Sequence, residues 1–139
     1  MSYALEPEVA GSLGPSTRFG AGVGEIVALG YEFDDWLGDD LVTSTPAVLA
    51  TARVRDAIRE AGLTGVQFAP VTVTRSELFD ELGGGDLPEW VWLRPVGRAD
   101  VDDFWSADCR NLVVSERAFD LLQCFSLVHC EVTPTGSVS

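Results

Sequence analysis

The chain contains a stretch of itself twice. Shifted by 64 residues, "VLATARVRDAIREAGLTGVQFAP" (48–70) lies without gaps over "LVVSERAFDLLQCFSLVHCEVTP" (112–134). Arg53 meets Arg117, Asp56 meets Asp120, Leu63 meets Leu127 and Pro70 meets Pro134. Thr51 and Ser115, both helix-capping residue types, share a position, as do Ile58 and Leu122. Each copy opens on an apolar run, continues with apolar residues at three- and four-residue spacing, and closes on an alternating run. Each reads as strand–helix–strand, over 48–73 and 112–137, one unit used twice. Two such units predict an α+β fold: a mixed sheet with two packed helices, joined by right-handed crossovers. Each helix has one apolar face, so its other side stays wet.

The remaining segments fit one domain spanning 1–139. Residues 1–24 are rich in Gly and Pro and predict a short strand near Tyr3 to Leu5, then an arm or loop. "EIVALGYEF" (25–33) and "EWVWLRPV" (89–96) predict strands, the first kinked at Gly30. "VQFAPVTV" (66–73) predicts one strand with Pro70 at an edge or bulge. "SELFDEL" predicts a short helix ending at Gly83-Gly84-Gly85. Trp90 and Trp92 share parity and hence one sheet face.

Charge narrows the function. Twenty-two acidic residues against nine basic ones leave −13, with 46% hydrophobic residues. Such a surface repels nucleic acid and anionic membranes and attracts basic proteins. No apolar run reaches the roughly 20 residues that span a bilayer. The first residues lack the basic and apolar regions of a secretory signal, so the expected location is cytoplasmic. Cys109, Cys124 and Cys130 form no CxxC pair and predict reduced cysteines, with Cys124 and Cys130 buried.

Catalytic constellations are sparse. His129, the single histidine, aligns with Gly65 and is expected within a strand. Ser115 lacks the flanking glycines of a nucleophile elbow and is expected to cap a helix. "FGAGVGE" has no strand before it and no helix pattern after it, so it is read as a loop and not as a phosphate cradle. Asp34, Asp35, Asp39 and Asp40 lack the ligand pattern of a calcium loop; Asp100, Asp102 and Asp103 come closer to it, but Trp105 stands where further ligands are expected. We therefore assign no catalytic residue, no metal and no cofactor from sequence, and expect a protein that is not an enzyme.

Two stretches mix carboxylates with large aromatic side chains: "YEFDDWLGDD" (31–40) and "ADVDDFW" (99–105). Protein interfaces use aromatic anchors ringed by charge. The expected contact residues are Asp34, Asp35, Trp36, Asp39 and Asp40 in one patch and Asp100, Asp102, Asp103 and Trp105 in another. The competing reading places both tryptophans at the ends of the core.

"LEPEVAGSLG", "YEFDDWLGDDLV", "AGLTGVQFAPV", "LPEWVWLRPV" and "LVVSERAFDLL", in that order, resemble immunity proteins of bacterial polymorphic-toxin systems. The motif-bearing segments are Leu87 to Leu93, Asp102 to Phe104 and Leu112 to Leu122. The resemblance points to a group related to the double-CXXCG-motif immunity proteins, although this chain has no CXXCG motif and so implies no zinc. It implies a cytoplasmic protein that binds a cognate toxin domain and blocks its active site. Together with the charge it implies a basic partner such as a nuclease, deaminase or other nucleic-acid- or nucleotide-acting toxin. Two other classes stay open: a regulatory module for a basic peptide or small cationic ligand, and a small metal-dependent hydrolase.

Overall fold

The computed structural model describes residues 2–22, 25–44, 47–82, 86–107 and 111–135. The N-terminal part carries β1 (Ser2–Glu6), β2 (Gly11–Leu13), β3 (Arg18–Phe19) and β4 (Ile26–Phe33). A hairpin of β5 (Leu41–Ser44) and β6 (Ala47–Thr51) leads into α1 (Ala52–Ala61), then β7 (Val66–Ala69) and β8 (Val71–Arg75). Next come α2 (Glu77–Glu81) and β9 (Trp90–Pro95). A second hairpin, β10 (Phe104–Ala107) and β11 (Asn111–Ser115), leads into α3 (Glu116–Leu122) and β12 (Glu131–Thr135). The fold is α+β.

The strands form three four-stranded sheets and not one mixed sheet. The first runs β5-β6-β9-β7 and the second β10-β11-β1-β12, each antiparallel throughout. In the first, β6 and β7 both run opposite to β9 and hence parallel to each other. The α1 crossover therefore straddles a strand inserted from farther along the chain, giving a split strand–helix–strand unit. β11, α3 and β12 repeat this around β1.

The registers preserve the 64-residue shift. Val48 and Phe68 both face Leu93 across their ladders, and Leu112 and Val132 both face Leu5. The third sheet has β4 flanked by β2 and β3, with β8 alongside in parallel. The expected arm at 1–24 thus contributes strands. Pro70, which has no N–H to give a ladder, divides the expected 66–73 strand into β7 and β8 in different sheets.

All five residues of β6 are buried because alternate side chains enter two cores. Val48 and Ala50 join Val54 and Ile58 of α1, Ala118 and Leu122 of α3, and Leu5, Leu93, Phe104 and Leu112 in a core shared by both units. Ala47 and Leu49 point the other way, toward Leu29, Tyr31, Phe33, Phe79 and Trp90. Each fully buried large side chain contributes ~1.5–3 kcal/mol. Trp90 and Trp92 do share a face, and it packs on the second core.

Helix boundaries follow local chemistry. Ser115 Oγ accepts the Ala118 N–H at 3.2 Å, and Ser76 Oγ accepts the Phe79 N–H at 3.3 Å, each capping its helix. Gly62 stops α1 in the left-handed conformation, φ +69°. Thr51 occupies the cap position of α1 but makes no capping bond. The expected glycine stop at 83–85 lies outside the described residues, as does Cys109. Among the described residues, no helix is long and apolar enough to cross a membrane.

Candidate functional site

The stretch 31–40 divides between core and joint. Tyr31 and Phe33 are fully buried in β4. Trp36 is half-buried, with its ring edge-on to Trp90 at 5.8 Å and its indole N–H donating to the Asp39 carbonyl at 2.8 Å. Gly38, at φ +107°, makes the turn between them, a conformation that costs other residues steric strain. Asp39 and Asp40 follow and are 0% and 2% exposed. Burial withdraws both from the expected contact patch.

Asp40 is the centre of a four-way joint. It accepts Arg53 Nε at 2.9 Å and Nη2 at 2.6 Å, the Thr51 hydroxyl at 2.9 Å and the Ser126 N–H at 2.8 Å. Burial pushes this carboxyl upward, but the bonds from Arg53, Ser126 and Thr51 together outweigh it and hold the group below its ordinary range. Thr51 serves this carboxylate without capping α1, whereas Ser115 both donates to Asp103 and caps α3.

Asp103 rebuilds the joint in the other unit. It accepts Arg117 Nε at 2.8 Å and Nη2 at 2.6 Å, the Ser115 hydroxyl at 2.6 Å and the Thr64 N–H at 2.9 Å. The Arg117 guanidinium beside it holds its carboxyl well below the usual carboxylate range, against the effect of burial. Each aspartate belongs to the hairpin of one unit and takes an N–H from the loop after the helix of the other. The pair therefore locks the two units to each other reciprocally. Asp103 is 5% exposed and Trp105 7%, so both leave the expected second patch.

The other residues of that patch shape a turn. Asp100 is exposed at φ +63°, a left-handed position that short polar side chains tolerate. Asp102 accepts the Arg98 N–H at 2.7 Å. Beside it lie Gly65 and Gly97, where a Cβ on Gly65 would stand 2.4 Å from the Phe104 carbonyl oxygen and 2.6 Å from Asp102 Cβ. His129, at the position matching Gly65, lies in the turn before β12 and not within a strand. Without a ladder partner to fix it, its imidazole turns to Asp39, with Nδ1 3.0 Å from Oδ1. Burial, helped by the charge of Asp39, pushes the Cys130 thiol up to about 11. Cys124, expected to be buried, is exposed.

Exposed carboxylates are spread over the surface, and one edge groups several of them beside apolar side chains. The Ser76 N–H donates to the Phe33 carbonyl at 2.9 Å, so α2 starts where Asp34 and Asp35 leave β4. Asp35, Glu77, Asp80 and Glu81 are exposed and Asp34 is half-buried. Leu37, Leu78 and Leu82 are 55%, 47% and 60% exposed in the same segments. Against these carboxylates stands Arg75, lying over the Phe79 ring at 5.4 Å. Neither a family model nor a curated protein matches the chain.

The α2 carboxylates were not singled out in the sequence, because "SELFDEL" reads as an ordinary amphipathic turn. In the sequence it stands about forty residues from Asp34 and Asp35. Only the parallel pairing of β4 with β8 brings the two segments together.

Proposed function

We propose that the chain is an immunity protein, a non-catalytic inhibitor that binds a basic toxin domain in the cytoplasm and covers its active site. The observation that carries this reading is the division of charge. All nine basic residues are arginine. Arg53, Arg55 and Arg117 are paired with carboxylates, and Arg59, Arg75 and Arg94 lie over Phe68, Phe79 and Trp92. These six arginines are engaged by carboxylates or aromatic rings of the chain itself, while the surface keeps an acidic excess, part of which lies at the α2 edge beside exposed leucines. That combination suits a cationic cleft, with leucines for apolar contact and carboxylates for steering and register.

The proposed contact surface is therefore Asp34, Asp35, Leu37, Glu77, Leu78, Asp80, Glu81 and Leu82. The resemblance of the sequence to immunity proteins supports the same reading. The test is a surface variant, Asp35→Asn with Glu77→Gln, Asp80→Asn and Glu81→Gln, compared with the native chain for protection of cells against the toxin it binds. Loss of protection with unchanged folding supports the proposal. Full protection by the variant places the contact surface elsewhere.

A further inference from the structure

We propose that Glu8, Asp39 and His129 form a binding site for one divalent metal ion of the zinc class. The three lie in different segments: Glu8 after β1, Asp39 before β5 and His129 before β12. One donor atom of each stands within 4.8 Å of one from each of the others. Glu8 is 6% exposed and its Oε1 is buried without a hydrogen-bond partner. A buried carboxylate oxygen with nothing to accept is costly, so its retention calls for a ligand.

The neighbouring oxygens are already oriented. Glu8 Oε2 accepts the Leu37 N–H at 2.9 Å, and Asp39 Oδ2 accepts the His129 N–H at 2.8 Å. Each carboxylate is thus held by one oxygen, leaving Glu8 Oε1 free and Asp39 Oδ1 shared only with the imidazole. Backbone donors of this kind fix metal ligands from outside the coordination shell. The 3.0 Å between His129 Nδ1 and Asp39 Oδ1 is close to the ~3.3 Å separating two ligands that each sit ~2.0–2.1 Å from a tetrahedral zinc ion. The histidine side chain is 40% exposed, which leaves a way in and room for water as a further ligand.

The site opens on a cavity of about 470 Å³ lined by Glu6, Glu8, Thr43, His129 and Glu131 among others. Glu6 faces Glu131 directly across β1 and β12, so two carboxylates stand side by side at the cavity. Like charges so placed repel, and a cation nearby relieves them. One imidazole with carboxylates is a nitrogen and oxygen donor set that suits zinc better than calcium or magnesium.

The equivalent joint between the units is an internal control. Where the proposed site has His129 and Asp39, the other joint has Gly65 and Asp102, and the residue after Pro95 is Val96 where Glu8 follows Pro7. The fold closes there by glycine packing against Asp102. A histidine and a buried glutamate are therefore not required by the architecture. The metal would staple the N-terminal segment, the loop before β5 and the loop before β12.

The experiment is calorimetric titration of Zn²⁺ into the full, chelator-stripped chain, with His129→Gln, Glu8→Gln and Asp102→Asn as comparisons. The expected result is one ion per chain, at least tenfold weaker in His129→Gln and Glu8→Gln and unchanged in Asp102→Asn. Thermal melting without metal establishes that each variant is folded, and zinc should raise the midpoints of the native chain and of Asp102→Asn more than those of His129→Gln and Glu8→Gln. Absence of saturable binding by the native chain overturns the site. So does equal binding by all variants, or binding that disappears only when the cysteines are alkylated.

Discussion

Asp40 and Asp103 occupy one structural position in two units, each gripped by a two-pronged arginine at 2.6 Å for its closer bond: Arg53 on Asp40 and Arg117 on Asp103. Each also takes a hydroxyl from the strand–helix junction and an N–H from the opposite unit. The arginine side chains are 66% and 60% exposed, so the charge attraction is screened and the hydrogen bonds matter more. Asp103→Ala leaves the Thr64 N–H and the Ser115 hydroxyl without their acceptor and should cost ~2–4 kcal/mol. Arg117→Lys cannot supply the fork and should cost less than Asp103→Ala. Urea unfolding at pH 7 measures both.

The same two aspartates set the acid limit. Their carboxyls are lowered on folding, so the stability they give is fully present above the unfolded value of ~3.9 and is lost as pH falls through the lower folded values. Stability should fall progressively below about pH 4. Asp103→Asn should flatten that slope. Urea midpoints between pH 2 and pH 7 give the comparison, and an unchanged slope in the variant would remove Asp103 from the acid response.

Gly65 and His129 mark how the two units diverge. Gly65→Ala places a Cβ against the Phe104 carbonyl at φ +82° and should cost ~3 kcal/mol. His129→Ala removes a side chain that is 40% exposed and, without metal, should cost less than Gly65→Ala. The ratio of these effects is read from thermal midpoints of the two variants.

Glu8 predicts a gain. Glu8→Gln in the metal-free chain keeps an acceptor for the Leu37 N–H and removes a buried charge. It should raise stability by about 1 kcal/mol. A loss of that size would mean the carboxylate is satisfied in the free protein.

The two strand–helix–strand units were legible because their apolar spacing, Ser115 and Gly62 act within a few residues. The strands that split them were not. β9 and β1 each pair inside a unit from a distant part of the chain, and only the repeated Leu93-Arg94-Pro95 and Leu5-Glu6-Pro7 hinted at their equivalence. The Asp-Asp pairs at 39–40 and 102–103 stood out correctly, but as surface carboxylates. Their true partners, Arg53 and Arg117, lie beyond the helical spacings that a sequence pattern reveals. Glu8 carried no signal, since burial of a glutamate depends on the loops that close over it. His129 aligned with a glycine, and that mismatch was the one trace of the proposed metal site.

Capture from lysate of the cells that make it, using the immobilised chain washed at 0.15 M and at 1 M salt, bears most directly on the proposed inhibition. One stoichiometric basic protein should survive the high-salt wash, and its activity should fall to zero at a one-to-one ratio with the free chain. A set of basic proteins that all leave at high salt, with no activity inhibited, would contradict an immunity function.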